Sequence, residues 1–205
     1  MGTPGRPALS DPDISPVDLR HLQRALEIGR RGWGRVHPNP TVGCVLVRDG
    51  EVVGEGWHSD LGGPHAEVHA LREAGERARG ATVYVSLEPC DHFGRTPPCS
   101  AALLDAGVAR VVYGAADPGE VSSGGADRLR AGGVDVVGPV LDLRDARREN
   151  PAFFFNHERK ATFVALKLAQ TLDGRIAEAP GRRTAITGPE ARREARRCLR
   201  CDYKE

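Results

Sequence analysis

The chain has 205 residues, 40% of them apolar and 28% charged, with a formal net charge of +1. That apolar share allows a sizeable core, and the length fits one full domain and part of a second. The near-neutral balance, with arginines alternating with acids, argues against a nucleic-acid or membrane-surface binder, and no run of about 18 apolar residues could span a bilayer.

Residues 1–15 are rich in Gly and Pro and lack the apolar stretch of a signal peptide, so a disordered lead-in is expected. Ser15-Pro16 then reads as an N-cap followed by a helix-compatible proline. Leu19, Leu22, Ala25, Leu26 and Ile28 recur at mostly helical spacing, up to the glycines at 32 and 34. Val42 to Val47 is a buried-type strand, Asp49-Gly50 a strong hairpin turn, and Val52 to Trp57 the return strand. Gly62-Gly63-Pro64 leads into a helix from about His65 to Ala78. Thr82 to Leu87 is the next strand, Pro97-Pro98 opens a helix through Leu104, and Val108 to Tyr113 is another strand. A loop from Asp117 to Gly125 precedes a helix near Asp127 to Ala131, a strand at Val134 to Val137 and a helix over Leu141 to Asn150. This order predicts one mixed sheet with helices on its faces, an α/β sandwich. Asn156 to Lys160 reads as a polar linker and Phe163 to Leu168 as a new strand. The expected organisation is a lead-in (1–15), a first domain (16–153), and a linker with the start of a second domain (154–205).

The residue pattern with most chemical content is His65-Ala66-Glu67, then Pro89-Cys90, then Cys99. One imidazole and two thiolates leave a fourth position open on a tetrahedral zinc, the mark of a catalytic rather than a structural site. Glu67 lies close enough to exchange a proton at that position without being a ligand, as in zinc-dependent nucleobase deaminases. Both halves of the pattern fall at expected helix starts, where partial positive charge favours thiolate. His69, four residues after His65, could be a second ligand on that helix. His92 could complete a structural site. For each, an ordinary packed or exposed histidine is the plainer reading. Five cysteines, with Cys44 in an apolar run, fit a reducing cytoplasm. Cys198 and Cys201 form a C-x-x-C with no second pair and no nearby His, and are not assigned to a metal.

The run Pro89-Cys90-Asp91-His92-Phe93-Gly94-Arg95-Thr96-Pro97-Pro98-Cys99 places eight residues between the cysteines, more than most cytidine-deaminase-like chains have. It closely resembles the riboflavin-biosynthesis pyrimidine deaminase, usually the N-terminal half of a bifunctional deaminase–reductase. His37-Pro38-Asn39-Pro40-Thr41-Val42-Gly43, Gly54-Glu55-Gly56-Trp57-His58, His65 to Ala70 and Leu87 to Cys90 match as well, so the resemblance covers about residues 17–153. It implies a cytidine-deaminase-like three-layer α/β/α sandwich with a mixed sheet. The implied substrate is a diaminopyrimidinone carrying a ribosylamino 5′-phosphate, hydrolysed to the pyrimidinedione. By position, His65, Cys90 and Cys99 hold Zn2+, and Glu67 is catalytic. Asn39, His58, His92 and Arg95 match positions of substrate contact. Their chemistry suits that role, although without the resemblance Asn39 between prolines reads more readily as a turn residue and Arg95 as a solvated loop charge. Deaminases of this fold commonly associate, so a homo-oligomer is expected.

The chain also departs from the family. Asp91 stands where a small polar residue is usual, adding negative charge beside a ligand, and the loop over 117–126 is altered. Phe163 to Ala177 resembles the first strand and turn of the family's reductase half. The segment Gly181-Arg182-Arg183-Thr184-Ala185 lacks that half's Ser and Trp, and the chain stops at Glu205. NADP(H), implied by a reductase half, is therefore not expected to bind, nor reduction to occur. Two other readings stay open: a deaminase of a different pyrimidine or secondary-metabolite precursor, and a non-catalytic zinc-binding partner. The intact Glu67 argues against the second, since a structural site has no use for it.

Overall fold

The computed structural model describes residues 14–94 and 97–165. Helix α1 (Pro16–Gly29) starts as expected at Ser15, whose hydroxyl accepts from the Asp18 N–H while the Asp18 carboxylate accepts from the Ser15 N–H, a closed capping box. Strands β1 (Gly43–Arg48) and β2 (Glu51–Trp57) pair antiparallel around Asp49-Gly50, both with positive φ, which is the two-residue turn the sequence predicts. The pairing shifts register between Leu46 and Val47, leaving Val53 as the extra residue of a bulge.

After helix α2 (Ala66–Ala74), β3 (Thr82–Leu87) takes the centre of the sheet. Helix α3 (Cys99–Ala106), β4 (Arg110–Ala115), α4 (Gly125–Ala131) and β5 (Asp135–Val137) follow. The strand order is β2-β1-β3-β4-β5, antiparallel at the first two pairings and parallel at the last two. This is the mixed sheet expected.

Successive strand residues point to opposite faces, and both faces are covered. Cys44, Leu46, Val83, Val85 and Val111 pack toward α2, α3 and α4. Val45, Val47, Tyr84 and Val112 pack toward Ala25 and Ile28 of α1. Burial on both sides explains why β1, β3 and β4 read as continuous apolar runs rather than alternating ones.

Two contacts fix the helices that carry the site. Helix α2 presents Ala66, Ala70 and Ala74 to β2. A Cβ on Gly54 would lie 2.3 Å from the Ala70 carbonyl oxygen, and one on Gly56 2.2 Å from that of Ala66. Only glycine lets the two backbones approach this closely. Asp18, 4% exposed, accepts from Tyr84 Oη at 2.7 Å and Arg110 Nη1 at 3.1 Å, tying α1 to β3 and β4.

Helix α5 (Leu143–Glu149) is followed at once by α6 (Pro151–Arg159). The stretch Asn156 to Lys160, expected as a linker, is therefore the end of a helix and its cap, and Phe154 of that helix is packed against Leu87, Ala115 and Ala146. Residues 163–165 carry no strand. The remainder of the expected strand to Leu168, the reductase-like segment after it, Cys198, Cys201 and the lead-in through residue 13 lie outside the described residues. No helix among the described residues is long and apolar enough to cross a membrane.

Candidate metal centre and its cavity

The proposed donors come together at the end of β3. His65 is the N-cap of α2, Cys90 follows β3 after Glu88-Pro89, and Cys99 is the first residue of α3. His65 Nδ1 lies 3.4 Å from Cys90 Sγ and 3.3 Å from Cys99 Sγ, and the three donor atoms fall within 4.8 Å of one another. Around a tetrahedral zinc, typical bond lengths put N and S about 3.6 Å apart. The arrangement thus fits zinc in donor type and spacing. Among the described residues no fourth protein donor joins the cluster, and neither His69 nor His92 belongs to it.

The local backbone supports anionic sulfur. The Cys99 N–H, at the start of α3, points at Cys90 Sγ at 3.5 Å. The Cys90 thiol is pulled down to about 4, foremost by its hydrogen bond with Cys99 and also by His65, against the opposing effect of burial. The same hydrogen bond, and then burial, push Cys99 up. One negative charge is shared until a cation makes two thiolates favourable. Glu67, in the first turn of α2, is 3% exposed. Burial, then the charge on Cys90, pushes its carboxyl up to about 7, so it can hold or release a proton near neutrality.

A cavity of about 470 Å³ opens over this cluster, lined by His65, Glu67 and Cys90 together with Asn39, His58 and His92. Arg95, the remaining expected contact residue, lies outside the described residues. His92 also lines the cavity, and its Nδ1 is buried without a protein partner among the described residues. Asn39 Nδ2 is 3.2 Å from His58 Nε2, and His58 Nδ1 is 3.1 Å from the Pro64 carbonyl oxygen.

Other residues of the cavity are ones that sequence reasoning passed over. Helix α6 brings Phe153, His157 and, at its cap, Lys160 to the lining. The signal was present in Asn150-Pro151, a frequent helix start. Asn150 spends its side chain elsewhere, accepting from Thr41 N at 2.7 Å and Oγ1 at 2.9 Å, which ties the α5–α6 junction to the Asn39-Pro40-Thr41 segment. Glu88 accepts from the backbone N–H groups of Asp117, Gly124 and Ala126 at 3.1–3.2 Å, anchoring the loop that walls the cavity. Asp91 does not stand as a bare charge. Its carboxylate accepts from Ser100 Oγ at 2.5 Å and pairs with Arg128 Nη1 at 2.9 Å.

Comparison with known proteins places this geometry. The model of the cytidine and deoxycytidylate deaminase zinc-binding region matches residues 16–115. The riboflavin biosynthesis protein RibD of Escherichia coli is 51% identical over 178 residues, which is 86% of this chain and 48% of that protein. The structure of Acinetobacter baumannii RibD superposes with a TM-score of 0.79 at 43% identity, over 90% of this chain and 52% of that one. A diaminohydroxyphosphoribosylaminopyrimidine deaminase/5-amino-6-(5-phosphoribosylamino)uracil reductase from Thermotoga maritima gives 0.80 at 41% identity, over 88% and 53%. The chain spans about half the length of these relatives.

Proposed function

This chain belongs to the riboflavin-biosynthesis deaminase–reductase family, and from that membership and its site we propose that it is a zinc-dependent hydrolase that deaminates a diaminopyrimidinone carrying a ribosylamino 5′-phosphate. The observation that carries the proposal is the placement of Glu67, buried and two residues from His65, in one cavity with the His65, Cys90 and Cys99 donors. Zinc on those donors supplies Lewis acidity that makes water nucleophilic near neutral pH. Glu67 takes one proton from water and gives it to the ring nitrogen, then carries the proton of the added hydroxyl to the departing amino group. Water adds at the ring carbon, the carbon–nitrogen bond breaks, and ammonia leaves a carbonyl behind. Asn39 and His92 hold the ring, with Arg95 added from the sequence.

The phosphate end is assigned to the mouth of the cavity. Lys160 is the only Lys or Arg among its described lining residues, and its Nζ is 4.0 Å from Glu120, a loose pair that a phosphate can displace. Pairing with Arg128 and Ser100 removes the objection that Asp91 would repel an anionic substrate. The reading also keeps the protein in the reducing cytoplasm, where unpaired Cys44, Cys90 and Cys99 are at home.

Ammonia release by zinc-loaded protein tests the assignment, with cytidine and guanine as control substrates. Release from the diaminopyrimidinone phosphate that disappears in Glu67→Ala is expected. Release only from a control would reassign the substrate, and none from any of the three with zinc bound would mark a non-catalytic zinc protein.

A further inference from the structure

The contacts of His58 have a consequence for what the cavity can bind. The Pro64 carbonyl oxygen can accept a hydrogen bond but never donate one. His58 Nδ1, 3.1 Å away, must therefore carry a proton. The ring is 3% exposed, its Nε2 meets an amide, and the ring of His65 stands edge-on to it at 5.4 Å. Asn39 turns its Nδ2, which can only donate, to the other ring nitrogen at 3.2 Å, so Nε2 is the acceptor. That leaves Oδ1 on the other arm of the amide. Asn39 lines the cavity, and its Oδ1 is neither buried nor hydrogen-bonded among the described residues.

We propose that the Pro64 carbonyl, acting through the tautomer of His58, locks the Asn39 amide so that it presents a hydrogen-bond acceptor, and that the cavity therefore selects rings whose facing edge carries an N–H donor. His58 is in this arrangement a positioning residue rather than a substrate contact. An aminopyrimidinone, with ring N–H beside exocyclic NH2, offers such an edge. A ring presenting a bare nitrogen or carbonyl there would meet Oδ1 lone pair against lone pair. The inference rests on the cavity being the substrate site proposed above.

Long-range proton–nitrogen correlation spectra of zinc-loaded protein with isotope-labelled histidine read the tautomer directly. His58 is expected to be protonated at Nδ1 and bare at Nε2. In Asn39→Asp the amide donor becomes an oxygen, so kcat/KM should fall roughly hundredfold. Calorimetry then reads selection without turnover. Diaminouracil should bind at least about tenfold more tightly than its ring-N-methylated form, and Asn39→Ala should erase that difference, separating polarity from bulk. A proton on Nε2 of the wild-type ring, or equal affinity for the two ligands, would overturn the inference. The expected tautomer and selectivity in a protein that releases no ammonia would uphold it and sink the substrate assignment instead.

Discussion

Gly56→Ala adds one methyl group at the contact that sets how closely α2 lies on the sheet. Its Cβ would stand 2.2 Å from the Ala66 carbonyl oxygen, 2.6 Å from the Ala70 nitrogen and 2.7 Å from the His69 Cβ. Most of these are backbone atoms, so no rotamer change relieves the clash. Restoring ordinary contact requires α2 to move by about 1 Å, and overpacking of this kind costs about 1–3 kcal/mol. A loss of roughly 5–10 °C in Tm is expected. The displaced residue, Ala66, sits between His65 and Glu67, so zinc affinity should fall as well, and activity by roughly a hundredfold. Gly50→Ala is the comparison. There φ is +82 with nothing within 4 Å, so backbone strain alone costs about 1 kcal/mol and zinc affinity stays put. Thermal unfolding and zinc competition against a chelator measure both effects. A Gly56→Ala protein with unchanged Tm and unchanged zinc affinity would refute the claim that this contact positions the site.

Other expectations follow from the same structure. Asp18 is held below the usual aspartate range because hydrogen bonds from Ser15 and Tyr84 and the charge of Arg110 outweigh the upward push of burial. The folded-state value is the depressed one, so the advantage of wild type over Asp18→Asn, about 1–3 kcal/mol in urea unfolding, should be complete above about pH 4 and fade as pH falls through the lowered value; a difference constant down to pH 2 would contradict this. Lys160→Ala should raise KM for the phosphorylated substrate roughly fivefold with kcat nearly unchanged, as fits an exposed charge contact, and an unaltered KM would remove Lys160 from the phosphate end. Cys99→Ser should weaken zinc binding by at least about a hundredfold and lower Tm, measured by competition and calorimetry; wild-type affinity in that variant would mean the metal sits elsewhere.

Much of the architecture was legible because several local signals agreed. Ser15 with Asp18 marked the first helix, Asp49-Gly50 the hairpin, and uninterrupted apolar runs the doubly covered strands. The clustering of His65, Cys90 and Cys99 was legible because their residue types and the intervening run admit few other readings. What escaped depends on contacts distant in sequence. Helix α6 carries Phe153, Phe154 and Phe155 in succession, which has no helical period, and its polar end resembled a linker. Glu88 looks like a solvated charge after a strand until the N–H groups of residues 117, 124 and 126 are folded around it. Asp91 looked uncompensated because Arg128 stands 37 residues away. His58 resembled a contact residue, and only the two groups flanking its ring nitrogens suggest a supporting part.

The metal donors also bear on where the protein loosens first. His65 and Cys99 are 34 residues apart, and the loop a metal closes between them contains β3, the middle strand of the sheet. Cross-linking the starts of α2 and α3 restrains the two helical turns that flank this strand, while α1 and the β1–β2 hairpin have their own cap and turn. Metal loss should therefore show as faster amide hydrogen exchange in the first turns of α2 and α3 well before α1 responds, a local opening below the energy of global unfolding.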